Sequence, residues 1–543
     1  MKSKMFRTIF PPFVAVVLLV GAGLLPTVVP FLATPKDRVY TGIHGHSDDY
    51  VGYVSYIKEG IDGNTTMTFR SYPFAQPKTL VHIFYIVLGH IARLAGLSAV
   101  FAYHAARIIL AIVFVLTSYR FFFFLWQGAR DAFLGTVIAF TSSSLGSLNY
   151  FDFSLVSAER VTDRPHYLFG AILFLWVIMV FIPLRQKTPP LAVGINGEED
   201  PAKLEERSGV WLWRDETSGK KIPHQKRRGW WGGFIQNKKM GLPGFVTLFL
   251  VGLSLAIVHP SFAVMLAIIT LVLFCREPSF RSLAVGIGLG AGLLLMYWSL
   301  SRYEGAGTIW FNVYTYSTSV TARTLLGDFL SFGPTLWIGL PTLVWITVTR
   351  RRADRVRFIQ SLYFLPLAYG SMEWIRSSCS RWGKNAVTLG ALVFIGLALP
   401  TYITDLKRSI YTLTDYRTYS VLVFPTKKQR ETYAFLEKNT PKESVVLAWF
   451  ESSNHILLYS HNVVVGNTQA WSKDAGAIMT GDRDQLFSGK LFEPDARKLL
   501  ANYHIRYIYY GYQERFLGSM AHYPFLRTVF ANEEATIYEV VGG

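Results

Sequence analysis

Ten apolar segments, most of them close to 20 residues long, dominate the first 400 positions of the chain. They are 9–33, 101–126, 131–149, 166–184, 242–259, 261–275, 282–300, 329–349, 358–374 and 385–403. An α-helix needs about 20 apolar residues to cross a bilayer. The pattern therefore predicts a polytopic α-helical membrane protein with about 9–11 transmembrane helices.

Segment 78–97 is apolar enough to span, but it contains His82, His90 and Arg93. Counting it as a span would place segment 185–240, with twelve basic against seven acidic residues, outside the membrane. Because cytoplasmic loops are the basic ones, we predict instead a helix in the outer membrane interface. This choice makes 34–100 and 150–165 outer loops and 185–240 a cytoplasmic loop.

From about Pro425 the pattern becomes that of a soluble α/β domain. Helical periodicity at 425–438 and 494–502 alternates with short apolar runs at 445–450, 463–466, 505–510 and 536–540. We predict a transmembrane domain over 1–420 and an extracytoplasmic α/β domain over 421–543. An outer domain requires an odd number of crossings after the basic run Arg350–Arg357, so either 358–374 or 385–403 is expected to be re-entrant or interfacial.

Composition agrees with a membrane protein and excludes several other classes. Hydrophobic residues make up 51% of the chain and charged residues 17%, against about 25% charged in an average soluble protein. The formal charge of +18 comes from basic clusters between apolar runs, and no nucleic-acid motif accompanies it. Two cysteines, Cys275 and Cys379, make no disulfide framework. A short basic N-terminus before a retained first span and few cysteines fit a bacterial inner membrane.

The two outer loops carry the acidic residues that could perform chemistry. Asp48 and Asp49 in the first loop could act as a general base or as oxygen ligands of a hard cation, or could simply cap a helix over 49–59. Glu159 and Asp163 lie in the second loop. Two acidic loops on one face favour a site for Mg²⁺ or Mn²⁺, with Asp49, Glu159 and Asp163 as the candidate ligands.

Cationic residues near the ends of the apolar segments could bind the phosphate of a lipid. The candidates are Lys78, Arg164, His166, Arg376 and Arg381. Arginine binds phosphate with two parallel hydrogen bonds, although it can equally mark the membrane boundary. The chain has no Walker loop, dinucleotide fingerprint, zinc-ligand spacing or nucleophile elbow, so soluble-nucleotide chemistry is unsupported.

The order of these motifs resembles that of the GT-C superfamily of membrane glycosyltransferases. The first loop contains His46-Ser-Asp-Asp-Tyr-Val-Gly-Tyr-Val-Ser-Tyr-Ile-Lys58, the next span opens with Tyr103-His-Ala-Ala-Arg107, and a second acidic loop runs from Glu159 to His166. The resemblance implies transfer of a sugar from a polyprenyl-phosphate donor at the outer leaflet to a glycan, lipid or protein acceptor. It assigns the role of base or metal ligand to Asp48 or Asp49.

The C-terminal domain is similar to that of oligosaccharyltransferase catalytic subunits, which carry a Trp-Trp-Asp-Tyr-Gly motif after a strand. The corresponding stretch here, Val445-Val-Leu-Ala-Trp-Phe-Glu-Ser-Ser453, lacks the second Trp, the Asp, the Tyr and the Gly. A mannosyl- or arabinosyltransferase is therefore the better analogy. The alternatives are a transporter or lipid flippase with the acids as ion-coupling sites, and a non-catalytic assembly subunit.

Overall fold

A computed structural model describes most of the helical bundle and most of the C-terminal domain. The described ranges are 2–44, 47–68, 70–71, 73–74, 79–80, 82–141, 160–162, 164–181, 212–214, 221–223, 241–276, 279–301, 364–414, 420–465, 481–520 and 522–541. At some of these positions, among them 2–9, Ser47 and Asp48, the backbone alone is described. The predicted span 329–349 and nearly all of the predicted cytoplasmic loop 185–240 lie outside these ranges. Two short antiparallel strands, β1 (Leu212–Arg214) and β2 (Lys221–Pro223), belong to that loop.

The N-terminal part of the chain is helical, as the apolar pattern predicts. Its helices are α1 (Lys2–Leu32), α2 (Ser47–Asp62), α3 (Ile83–Ala95), α4 (Ala99–Trp126), α5 (Ala129–Thr141), α6 (Pro165–Phe181), α7 (Leu242–Val258), α8 (Pro260–Arg276), α9 (Phe280–Ser301), α10 (Phe364–Cys379) and α11 (Lys384–Thr414). Among the described residues, α1, α4, α9 and α11 contain stretches long and apolar enough to cross a membrane, while α3, α6, α7 and α8 contain shorter apolar stretches.

The bundle has two ends, which we name by what lies there. The domain face is the end that carries Asp49 and the C-terminal domain, and the opposite face is the end at the α4–α5 turn around Gly128. Helix α10 starts toward the domain face, where Arg160 lies 5.1 Å over the Phe364 ring, and ends at the opposite face. Helix α11 returns from there toward the domain face. That either 358–374 or 385–403 is re-entrant or interfacial stays a prediction.

Glycines allow several helices to approach closely. A Cβ built on Gly288 of α9 would lie 2.2 Å from the Phe249 carbonyl oxygen of α7, so only a glycine fits there. Gly60 of α2 and Gly89 of α3 meet in the same way, since a Cβ on Gly60 would lie 2.1 Å from the Ile86 carbonyl oxygen. Small residues at such crossings are the usual means of close helix packing in membranes.

Helix α3 corresponds to the segment predicted to lie in the interface. It ends at Gly96, whose positive φ of 65° suits glycine, and its outer side exposes Val87, Ile91 and Leu94. Its other side packs against α2. The structure thus shows a short amphipathic helix, and its place in the membrane interface remains a prediction.

The C-terminal part is an α/β domain, as predicted. Its strands β3 (Val445–Leu447), β4 (Val463–Val465), β5 (Ile505–Tyr510), β6 (Leu526–Ala531) and β7 (Thr536–Val540) form one sheet in the order β4-β3-β5-β7-β6. Strands β4, β3 and β5 are parallel, whereas β7 and β6 are antiparallel to their neighbours. The sheet is flanked by α12 (Ser420–Val423), α13 (Lys427–Asn439), α14 (Phe450–Tyr459), α15 (Glu493–Asn502) and α16 (Tyr512–Phe516), with a further helical segment at 481–487.

This domain packs directly on 34–100, the first predicted outer loop. The Thr41 N–H donates to the Val423 carbonyl oxygen at 3.0 Å, and the Val464 N–H of edge strand β4 donates to the Arg70 carbonyl oxygen at 2.7 Å. One apolar core contains residues of both parts, among them Val54 and Val446. The loop and the domain therefore position α2 together.

Candidate functional site

Asp49 and Arg164 form an ion pair at the domain face. Arg164 Nη1 lies 2.5 Å from Asp49 Oδ2, with Arg164 12% exposed and Asp49 38% exposed. Asp49 lies in the first turn of α2, and Arg164 directly precedes Pro165, the residue that starts α6 with a φ already suited to a helix. Residues 115 positions apart, one from each predicted outer loop, are thus brought together.

An aromatic wall lies beside this pair. The Arg164 guanidinium lies 4.3 Å from the ring centroid of Tyr167, a residue in the first turn of α6. Tyr53, one turn after Asp49, stacks on Tyr85 of α3 with ring centroids 4.3 Å apart. The Tyr85 hydroxyl lies 2.7 Å from His166 Nδ1. Burial raises the pKa of Tyr53 and of Tyr85 well above the ordinary value, so these two hydroxyls stay protonated.

His82 completes the wall next to α3. It adopts a left-handed backbone conformation, with φ 57°, and its ring stacks on Tyr56 with centroids 5.2 Å apart. Burial and the positive charge of Arg164 lower the pKa of His82 to about 4. The imidazole is therefore neutral at neutral pH, and the charge in this region comes from Asp49 and Arg164.

Arg107 ties the second loop to the bundle. It is almost fully buried on α4, and its Nε donates to the Thr162 carbonyl oxygen at 2.8 Å while Nη2 donates to Thr27 Oγ1 of α1 at 2.9 Å. Thr162 in turn donates its hydroxyl to the Gly23 carbonyl oxygen. These bonds hold the backbone two residues before Arg164, so Arg107 fixes the approach of Arg164 to Asp49.

The predicted site residues fall into three groups. Asp49, Arg164 and His166 are brought together. The side chain of Asp48, and Lys78, Glu159 and Asp163 as a whole, lie outside the described residues. Arg376 and Arg381 lie at the opposite face.

At that face Arg376 is 3.6 Å from Asp131 and 3.3 Å from Glu373, and Arg381 stacks on Trp382 at 4.1 Å. Trp126 also donates to Glu373 at 2.7 Å. The sequence analysis groups these two arginines with Arg164 as candidate phosphate contacts, whereas the structure places them at the other end of the bundle. Their depth depends on the direction of α10, which a one-dimensional pattern does not reveal.

In the part of the chain that the structure describes, no three His, Cys, Asp or Glu side chains are arranged to hold a metal ion. Asp49 is the one predicted ligand whose side chain is described, and it faces Arg164. A divalent cation at Asp49 would thus need further ligands from residues outside the described ranges. The predicted Mg²⁺ or Mn²⁺ site stays a prediction.

Comparison with known proteins finds relatives at the level of structure alone. No protein-family model and no curated protein sequence matches the chain. The Archaeoglobus fulgidus oligosaccharyltransferase superposes with a TM-score of 0.47 and 12% identity, over 94% of this chain and 71% of that one. ArnT from Cupriavidus metallidurans, solved with undecaprenyl phosphate, superposes with a TM-score of 0.46 and 12% identity, over 97% and 98%. The mycobacterial arabinofuranosyltransferase AftD gives 0.38 and 11%, over 97% and 40%.

These neighbours are membrane glycosyltransferases of the GT-C type, the class that the sequence motifs resemble. At identities of 11–12% and these TM-scores, the likeness supports no conclusion about activity. The function proposed for this chain rests on its own residues.

Proposed function

We propose that the chain is a membrane glycosyltransferase that moves a sugar from a polyprenyl-phosphate-type donor to an acceptor at the domain face. The observation that carries the proposal is the Asp49–Arg164 pair, a carboxylate and a guanidinium held 2.5 Å apart where an apolar helical bundle meets an α/β domain. A donor of this class has its tail in lipid and its phosphate at the membrane surface. Its enzyme therefore needs a base and a cation at that boundary.

The reaction follows from the two charges. Asp49 accepts the proton of an acceptor hydroxyl while the hydroxyl oxygen attacks C1 of the sugar. The bond from C1 to the phosphate oxygen breaks, and polyprenyl phosphate leaves with the electron pair, so the configuration at C1 inverts. Arg164 turns from Asp49 to the leaving phosphate and stabilises its negative charge. The Asp49 carboxylate then no longer has the Arg164 cation beside it, which makes it a stronger base for the acceptor hydroxyl.

The surrounding residues hold these two groups in place. Tyr167 supports the Arg164 guanidinium from below, and Arg107 fixes the loop from which Arg164 extends. The C-terminal domain packs on α2, the helix that carries Asp49, and would bind or cover the acceptor. Asp48 remains a candidate for the base and Lys78 for a phosphate contact. Glu159 and Asp163 remain candidate ligands of Mg²⁺ or Mn²⁺. Bacterial inner-membrane localisation, with the domain face outward, belongs to the same proposal.

The test is transfer of labelled sugar from polyprenyl-linked donors by the full chain purified into lipid. Asp49→Asn and Asp48→Asn are compared with the wild type, and Asp131→Asn at the opposite face is the matched control because it also removes a carboxylate paired with an arginine. We expect one first-loop variant to lose about a thousandfold in turnover, equivalent to about 4 kcal/mol of transition-state stabilisation. The control should keep its turnover.

Two results would contradict the proposal. One is the absence of transfer from any polyprenyl-linked sugar by folded wild-type protein. The other is equal turnover by the wild type and both first-loop variants. Either would favour a transporter or an assembly subunit.

A further inference from the structure

His259 occupies the single-residue break between α7 and α8. Its Nδ1 accepts the Phe262 N–H at 3.3 Å, which makes His259 the N-terminal cap of α8. An imidazole nitrogen that accepts a hydrogen bond carries no hydrogen. In the neutral ring the hydrogen is therefore on Nε2, which leaves Nε2–H as a donor.

That donor is buried and unused. His259 is 7% exposed, and among the described residues no atom forms a hydrogen bond with its Nε2. The ring is held firmly, because Phe262 stacks on it with centroids 3.8 Å apart and Gly170 of α6 faces it closely. A Cβ on Gly170 would lie 3.0 Å from the His259 Cβ. A buried donor kept without a partner is costly, so its retention points to a ligand that supplies the acceptor.

The unused donor lies next to the proposed reaction site. The Tyr167 ring meets the His259 ring edge-on with centroids 4.4 Å apart, and the same Tyr167 carries the Arg164 guanidinium on its face. The His166 ring lies 6.1 Å from His259. One aromatic ring thus separates the free Nε2–H from the Asp49–Arg164 pair.

We propose that His259 Nε2 and Arg164 bind the phosphate group of the lipid-linked donor through different phosphate oxygens, near the N-terminus of α8. The inference rests on the function proposed above and names the phosphate contact of that site. Three features favour an anion: the available group is a donor, the N-terminus of a 17-residue helix carries a partial positive charge, and Arg164 is a cation. A phosphate oxygen would supply the acceptor that Nε2 lacks.

Two substitutions separate the capping role of His259 from the donor role. Asparagine places an acceptor where Nδ1 was and is a strong helix cap, but it does not reach the position of Nε2. Glutamine places an amide N–H near the position of Nε2 and loses the cap. His259→Asn should therefore keep the thermal stability of the wild type and lose phosphate binding, whereas His259→Gln should unfold at a lower temperature and keep binding.

The experiment measures equilibrium binding of undecaprenyl phosphate and, separately, of inorganic phosphate to the full chain in lipid nanodiscs. Wild type should bind undecaprenyl phosphate, and His259→Asn should bind it about ten- to a hundredfold more weakly, the usual effect of losing one hydrogen bond to a charged group. If inorganic phosphate displaces undecaprenyl phosphate from wild type, and displaces it less well from His259→Asn, the phosphate group itself is the ligand. If inorganic phosphate fails to compete while His259→Asn still binds undecaprenyl phosphate more weakly than wild type, the site binds the phosphate only as part of the lipid.

The proposal is overturned if wild type binds neither probe, or if His259→Asn binds undecaprenyl phosphate as tightly as wild type does. If His259→Asn binds as tightly as wild type while Asp49→Asn still abolishes transfer, the phosphate contact is refuted and the proposed function stands. Failure of the contact and failure of the function are therefore distinguishable. Weaker binding by both variants, with equal losses of thermal stability, would also overturn it, because His259 would then be a structural residue.

Discussion

The buried ammonium group of Lys58 offers a pH-dependent test of how the first loop joins the C-terminal domain. Lys58 extends from α2, and its Nζ donates to the carbonyl oxygens of Leu457 and Ser460 at 3.2 and 3.1 Å, at the C-terminal end of α14. Burial lowers its pKa from 10.5 to about 7, and the nearby positive charge of Arg70 contributes. Charging Lys58 in the folded protein therefore costs about 5 kcal/mol relative to the unfolded chain.

The sign of the effect follows from proton binding. Between pH 7 and 10.5 the unfolded chain holds a proton on Lys58 that the folded protein has largely lost. The free energy of unfolding should then rise with pH in that window. From pH 6 to pH 9 the titration of Lys58 should raise the free energy of unfolding of the wild type by about 2–3 kcal/mol.

The assay is urea unfolding at pH 6 and pH 9, followed by tryptophan fluorescence, for wild type and Lys58→Met. The variant lacks the titrating group, so its free energy of unfolding should rise by about 2–3 kcal/mol less over this range. Lys442→Met is the control, because Lys442 belongs to the same interface but is 66% exposed. A pH-dependent gain that persists undiminished in Lys58→Met would refute the assignment of the gain to Lys58.

Two further predictions concern the bundle. Gly288→Ala should destabilise the protein by about 1–3 kcal/mol, because its new methyl group would meet an α7 carbonyl oxygen. Gly290→Ala should be neutral or stabilising, because among the described residues no atom lies within 4 Å of the added Cβ. Thermal unfolding checks both variants, and equal effects would contradict the packing argument. Arg376→Gln should lower thermal stability, because Glu373 loses its arginine partner and Asp131 keeps only Arg130 among the described residues, but it should keep sugar transfer. Loss of turnover in a stable variant would place Arg376 in the reaction site.

The α/β domain was predictable because its signals are local. Runs such as 445–447 and 505–510 are apolar over the length of one strand, and helical periodicity separates them. Strand β6 was missed since it lies at the edge of the sheet, and its residues are all exposed or half-buried, so no apolar alternation marks it. The hydrophobic pattern reports burial, and an edge strand with little burial gives little pattern.

The candidate site was predictable only in part. Charge patterns placed Asp49 and Arg164 on one face, but their contact depends on how α2 and α6 pack, which involves residues far apart in sequence. The free donor of His259 follows from a single hydrogen bond at the start of α8. Its sequence signal, a histidine directly before a proline between two apolar runs, indicates a turn and says nothing about which nitrogen is left without a partner.

Helix α2 connects the candidate site to the C-terminal domain. Asp49 lies near its start, and Asp62 lies about 20 Å away at its end, where Lys442 and His461 of the domain contact it at 3.0 and 3.1 Å. Glu59 pairs there with the buried Arg70 at 2.6 Å.

Removing either Glu59 or Arg70 would leave an uncompensated buried charge, so this pair favours one arrangement of the end of α2. The Arg70 carbonyl oxygen also accepts the Val464 N–H of strand β4, which links the pair to the domain. Because α2 is a continuous helix, fixing its end also fixes the direction in which Asp49 points. The domain therefore contributes to the geometry of the Asp49 carboxylate from a distance, through the packing of α2.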